Sequence, residues 1–171
     1  MNSLVQLDHL ITDKIRLWGR PWFGFWKFVA AQSIAIFVIG AGVYAYLGYL
    51  VFWNFLASFG LAYLVANVLQ MIIRRNRPNF EKLTGYKMWL QTYSYPSAHA
   101  TMSACAAASL CLLTVWPNSL VAGFTIAGAI LLAILIGISR LIVGVHYLAD
   151  VMFGWLVGFV VALAYVVLLV L

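Results

Sequence analysis

Carboxylates are scarce in this chain. Of its 171 residues only four are Asp or Glu, and charged residues of every kind make up 8%. Asp8 and Asp13 lie near the amino terminus, Glu81 lies mid-chain, and Asp150 stands alone between two apolar runs. So few acids argue against a divalent-cation cage built from several carboxylates. The scarcity of charge also excludes an ordinary soluble domain: 65% of the chain is hydrophobic and its mean hydropathy is +1.02. Cysteine is sparse as well. Cys105 and Cys111 sit six residues apart in one apolar segment, on different helical faces, which favours small packing residues over a disulfide or metal pair.

What the chain has is hydrocarbon-length helix. A bilayer core of ~30 Å takes about 20 helical residues to cross. Five runs approach that length: Phe28 to Leu47, Val51 to Ile73, Ala98 to Trp116, Ser119 to Ile138 and Leu148 to Leu171. The segment before them is interrupted by Asp8, Asp13, Lys14, Arg16 and Arg20, yet Leu4, Leu7, Leu10, Ile11 and Ile15 recur at helical spacing, and Trp18, Trp22, Phe23 and Trp26 are interfacial residue types. It reads as an amphipathic helix lying among the headgroups. No apolar stretch followed by a small-residue cleavage site precedes the runs, so no removable signal peptide is expected. The expected fold is all-α: a polytopic membrane bundle of about five transmembrane helices plus an amino-terminal interfacial helix. It forms one membrane-embedded domain over 1–171, divided into an interfacial part, 1–27, and the bundle, 28–171. Ala100, Ala104 and Ala108, and the GxxxG pair Gly154 and Gly158, predict close helix–helix approach.

Threading five spans places the end of the second, the start of the third, the end of the fourth and the start of the fifth on one membrane face. Arg74, Arg75, Arg77, Ser97, His99, Arg140, His146 and Asp150 then share one level, and all ten Lys and Arg fall on that side. The net charge of +6 therefore points to anionic lipid and not to nucleic acid. His146 and Asp150 are four residues apart, so on a helix Asp150 can accept a hydrogen bond from one imidazole nitrogen and fix the lone pair on the other. Arg77 and Arg140 offer planar donor forks, while Ser97 and the backbone N–H groups opening the third span add neutral donors. The cluster suits a phosphoryl group. A competing ligand set of His99, His146 and Asp150 for a metal is disfavoured by the surrounding guanidiniums, so neither metal nor cofactor is expected.

Three stretches, "QMIIRRNRP" (Gln70 to Pro78), "PSAH" (Pro96 to His99) and "SRLIVGVHYLAD" (Ser139 to Asp150), resemble the motifs K-x6-RP, PSGH and SR-x5-H-x3-D of the type 2 phosphatidic acid phosphatase superfamily of integral membrane lipid phosphatases. The resemblance implies that His146 attacks phosphorus with Asp150 orienting it, that His99 serves as acid and then base, and that Arg77, Arg140, Ser97 and the backbone at Ala98 hold the phosphoryl oxygens. Two positions depart from the pattern. Gln70 stands where the family has lysine, and Arg74, one turn later, is expected to supply the missing cation, with Arg75 less well placed. Ala98 replaces glycine, which matters only if that position needs a positive φ. The implied substrate is a membrane lipid phosphate: polyprenyl diphosphate, phosphatidylglycerophosphate or phosphatidic acid. A lipid phosphotransferase and a catalytically silent lipid-binding scaffold are the alternatives. The loop from Asn79 to Tyr95 reads equally as a lid over the headgroups or a connector. Bacterial relatives place the site on the outer face of the cytoplasmic membrane, whereas the positive-inside rule points the other way. Because several of the charges have a catalytic reason to be there, the outer face is the reading kept. The sequence leaves the oligomeric state open.

Overall fold

Helix-breaking residues divide the chain where the apolar runs end. In the computed structural model, which describes residues 3–78 and 92–169, six α-helices follow one another: α1 (Ser3–Gly19), α2 (Phe23–Tyr46), α3 (Phe52–Ile73), α4 (Ala98–Leu113), α5 (Ser119–Ile142) and α6 (Leu148–Leu169). A 3-10 turn, Arg20–Trp22, with Pro21 at its start, joins α1 to α2, so the helix that contains the first expected span begins at Phe23. The turn after α2 places Gly48 at a φ of +79°, a backbone conformation that glycine adopts without Cβ strain. Asn118 caps α5 by accepting the Val121 N–H at 2.9 Å. Most of the proposed lid, 79–91, lies outside the described residues.

Four stretches are long and apolar enough to cross a membrane: Ser3–Tyr46 through α2, Phe52–Ile73, Ser119–Ile142 and Leu148–Leu168. The remaining helix, α4, has 16 residues and ends at Leu113, short of the expected Trp116. At ~1.5 Å per residue it falls a few ångströms short of the hydrocarbon thickness. That length suits its place: α4 packs on α2, α3, α5 and α6, and most of its side chains are buried. Leu64, Phe124, Leu156 and Leu168, by contrast, are exposed on the outer helices, the surface a lipid solvent requires.

The tightest contact joins α4 to α6. A Cβ built on Gly158 would lie 2.1 Å from the Thr101 carbonyl oxygen, and one on Gly154 would lie 2.9 Å from that of Ser97. The glycine pair therefore makes the close approach expected of it. Its partner stripe differs from the alanine repeat: Ser97, Thr101 and Cys105 face the glycines together with Ala100, while Ala104 and Ala108 line an apolar cleft of about 280 Å³ between α4, α5 and α6. Both described cysteines are free thiols, Cys105 buried and Cys111 exposed.

Candidate active site

Four pieces of chain meet at the end of the bundle where α1 lies: the segment after α3, residues 92–97 leading into α4, the last turn of α5, and the turn between α5 and α6. The last of these reverses the chain through Gly144, whose φ is +82°. Backbone bonds tie the pieces together: Ser94 N–H donates to the Arg75 carbonyl at 2.8 Å and Ser97 N–H to the Asp150 carbonyl at 3.0 Å.

His146 sits in that turn, two residues before α6, and is buried. Its Nδ1 lies 2.8 Å from the Ser94 carbonyl oxygen, and its Nε2 lies 3.0 Å from Nη1 of Arg77. A guanidinium can only donate and a carbonyl can only accept. Nδ1 therefore carries the proton and Nε2 the lone pair. This is the tautomer expected from the sequence, but a different group sets it. Asp150 Oδ2 is 3.5 Å from Nδ1, too far to be the principal acceptor. The reason is that His146 is not helical, so the four-residue spacing does not bring the two side chains together as it would along a helix. Asp150 instead accepts the Tyr147 N–H at 2.9 Å through Oδ2 and the Arg75 Nη1 at 2.7 Å through Oδ1.

Arg77 makes five polar contacts, with donors to the Thr92 carbonyl at 2.6 Å, the Thr92 hydroxyl at 2.9 Å, the Tyr93 carbonyl at 2.8 Å and the Val145 carbonyl at 3.0 Å, besides His146. These fix the plane of its guanidinium beside Nε2. Burial and the neighbouring Arg140 push Arg77 down to about 10, which leaves it a full cation at neutral pH. Burial, then Arg77 and Arg140, hold the His146 imidazole well below the usual histidine range, against the opposing pull of the Ser94 carbonyl. His146 is thus kept neutral. Arg140, buried on the last turn of α5, is also the strongest charged neighbour of His99, with Arg77 acting on it as well. His99 is the second residue of α4.

Ser97 is the cap of α4, its Oγ 3.5 Å from the Ala100 N–H, and Ala98 opens the helix. Arg74 is the only non-glycine described residue with a positive φ, so alanine at position 98 is accommodated without strain.

The structure does not bring Arg74 to the other expected site residues. Its left-handed backbone, φ +53°, ends α3, and its exposed side chain turns back to donate to the Met71 carbonyl at 2.9 Å. Arg75, ranked below it in the sequence reading, points inward instead and bridges Asp150 and Asp8. Gln70 is buried and donates to the Pro96 carbonyl at 2.7 Å, holding the segment that leads into α4 without a charge. Arg74→Gly, which removes the side chain and suits the backbone, is expected to leave turnover and KM within about twofold of the parent. A tenfold rise in KM would restore Arg74 to the site.

The sequence does not single out Asp8, Thr12 or the Ser94 carbonyl for the site. Asp8 and Thr12 have a signal, two polar residues one helical turn apart in an otherwise largely apolar stretch of α1. A backbone carbonyl has none.

The same architecture occurs in known proteins. The PAP2 superfamily matches residues 51–170. A phosphatidylglycerophosphatase B of Bacillus subtilis is 30% identical over 172 residues, covering 92% of this chain and 80% of its own length. An undecaprenyl-diphosphatase of Sulfolobus acidocaldarius is 36% identical over 106 residues, covering 59% of this chain and 47% of the relative, and a decaprenylphosphoryl-5-phosphoribose phosphatase of Mycolicibacterium smegmatis is 35% identical over 94 residues, covering 55% and 47%. The crystal structure of a transmembrane PAP2-type phosphatidylglycerolphosphate phosphatase from Bacillus subtilis superposes with a TM-score of 0.79 at 26% identity, covering 96% of this chain and 85% of that one. The chain belongs to the PAP2 superfamily.

Proposed function

We propose that this protein hydrolyses a lipid phosphate through a phosphohistidine, without a metal. The observation that carries the reading is the neutral, buried His146, its Nε2 lone pair directed at Arg77, in the electrostatic company of Arg140 and His99. A phosphoryl oxygen arriving at Arg77 takes over its Nη1 donor and releases Nε2 for attack. The negative charge of the bound phosphate offsets Arg140 and Arg77 beside His99, so that His99 takes up a proton with the substrate; the Nε2–P bond then forms as the P–O bond to the lipid breaks, and His99 gives that proton to the departing oxygen. In the second step His99 takes a proton from water, the water oxygen bonds to phosphorus, and the P–N bond breaks to release inorganic phosphate. Arg77 and Arg140 neutralise the charge on the phosphoryl oxygens throughout, the work a divalent ion does elsewhere.

Relatives named for phosphatidylglycerophosphate and for polyprenyl phosphates support the substrate classes expected from the sequence. The site at the membrane boundary lets a tail stay in the bilayer while its phosphate reaches the arginines. We place that face on the outer side of a bacterial cytoplasmic membrane.

Purified protein in detergent is expected to release phosphate from at least one of phosphatidylglycerophosphate, undecaprenyl diphosphate and phosphatidic acid, undiminished by excess chelator and inhibited by vanadate. Activity lost in chelator and regained with a divalent ion would overturn the metal-free mechanism. Transfer of labelled phosphate to a second lipid, with none released to water, would make the protein a phosphotransferase.

A further inference from the structure

Helix α1 does more than lie on the bundle. Its outward face carries Leu7 and Leu10, exposed by 53% and 51%, while Asp8, Thr12, Ile15 and Gly19 line the inward face and meet the machinery. Asp8 Oδ1 accepts the Ala149 N–H at 2.9 Å, and Thr12 Oγ1 accepts the Leu148 N–H at 2.9 Å while donating to the Asp8 carbonyl at 2.7 Å. The first two backbone donors of α6, normally left without a helical partner, are thus satisfied by side chains of α1. Gly19 has no room for a Cβ, which would lie 2.3 Å from Ile142.

The second Asp8 oxygen reaches further. Oδ2 pairs with Arg75 Nη2 at 2.7 Å, and Arg75 Nη1 pairs with Asp150 Oδ1 at 2.7 Å. Arg75 also lies over the Tyr147 ring, 4.4 Å from its centroid, and His9 stacks on that ring at 4.3 Å. With Arg75 held on Oδ1, the Oδ2 oxygen of Asp150 stays turned toward Tyr147 N–H and His146 Nδ1. As His146 becomes cationic on attack, that oxygen, 3.5 Å away, is the charge that opposes it. A guanidinium tied at one end only would be able to leave Asp150 for an incoming phosphate.

We propose that Asp8 is a positioning residue of the reaction: it holds Arg75 on Asp150 and, with Thr12, fixes the start of α6, so that turnover depends on α1 being seated. The inference rests on the phosphatase reading above. It concerns kcat more than binding, because Arg75 is committed to the two carboxylates while Arg77 and Arg140 receive the substrate.

Asp8→Asn separates the roles, since the amide oxygen can still accept from Ala149 while the charge that holds Arg75 is gone. Its kcat is expected to fall about tenfold with KM within twofold, with thermal stability in detergent close to that of the parent and partial recovery in Asp8→Glu. In an Arg75→Gln background the same change should cost nothing further, because the group through which it acts has been removed. Parental kcat in Asp8→Asn, or an equal loss in both backgrounds, overturns the inference. A parent protein that releases no phosphate from any lipid in the panel fails earlier and overturns the phosphatase reading, taking this inference with it.

Discussion

His146→Ala is expected to reduce phosphate release to background, a loss of roughly four orders of magnitude or more, and to leave no labelled enzyme. Nε2 of His146 is the nitrogen that has both a fixed lone pair and an arginine beside it, and alanine leaves the buried turn without a nucleophile. His99→Ala should behave differently. With an aryl phosphate, whose leaving group needs no proton, label should enter the enzyme slowly and stay, since nothing activates the water that would remove it. The quench must be alkaline and denaturing, because a P–N bond survives base and is lost in acid. Label trapped by His146→Ala and absent from His99→Ala would exchange the two assignments.

The next largest effect is expected from Arg77→Gln: a loss of about 10²–10³ in kcat/KM as one of the charges opposing the phosphoryl oxygens disappears. Its pH profile carries a second signature. In the parent, burial with Arg77 and Arg140 disfavours the imidazolium of His146, so the free enzyme keeps its nucleophile well into the acid range and loses it only as pH falls through that lowered value. Taking away the Arg77 charge lets His146 hold a proton at higher pH. The acid limb of kcat/KM must therefore move upward in the variant. An unmoved or lowered limb would mean that Arg77 does not act on His146 electrostatically, and that the lost rate reflects substrate binding alone.

Much of the fold could be read from the sequence because a lipid solvent leaves few choices: an apolar run must close its own hydrogen bonds as helix, and the breaks at Gly48 and Asn118 fall where the chain turns. Threading those runs also puts Arg77, Arg140, Ser97, His99, His146 and Asp150 at one level from the sequence alone. Direction was harder to read. Arg74 and Arg75 are adjacent in a segment that leaves the helix, and only the left-handed turn at Arg74 decides which guanidinium points inward. The four-residue spacing of His146 and Asp150 suggested a helical pair, yet α6 starts at Leu148, so a carbonyl from a remote segment took the role given to the carboxylate. Asp8 was visible as a charge interrupting α1, but its partners lie 67 and 141 positions further along.

The glycine contacts between α4 and α6 limit how the site can breathe. With backbone against side-chain-free backbone at Gly154 and Gly158, and Ser97 bonded to Asp150, the two helices have no slack between them and travel as one rigid strut. His99 rides on one member of that strut and the turn holding His146 leads into the other, so the separation of the two histidines is set by the contact of α4 with α6. Arg140 on α5 and Arg77 on the segment after α3 lie outside that strut. In the mechanism proposed above, the two reacting histidines thus stand on the close-packed glycine contact and the two anion-holding arginines stand outside it.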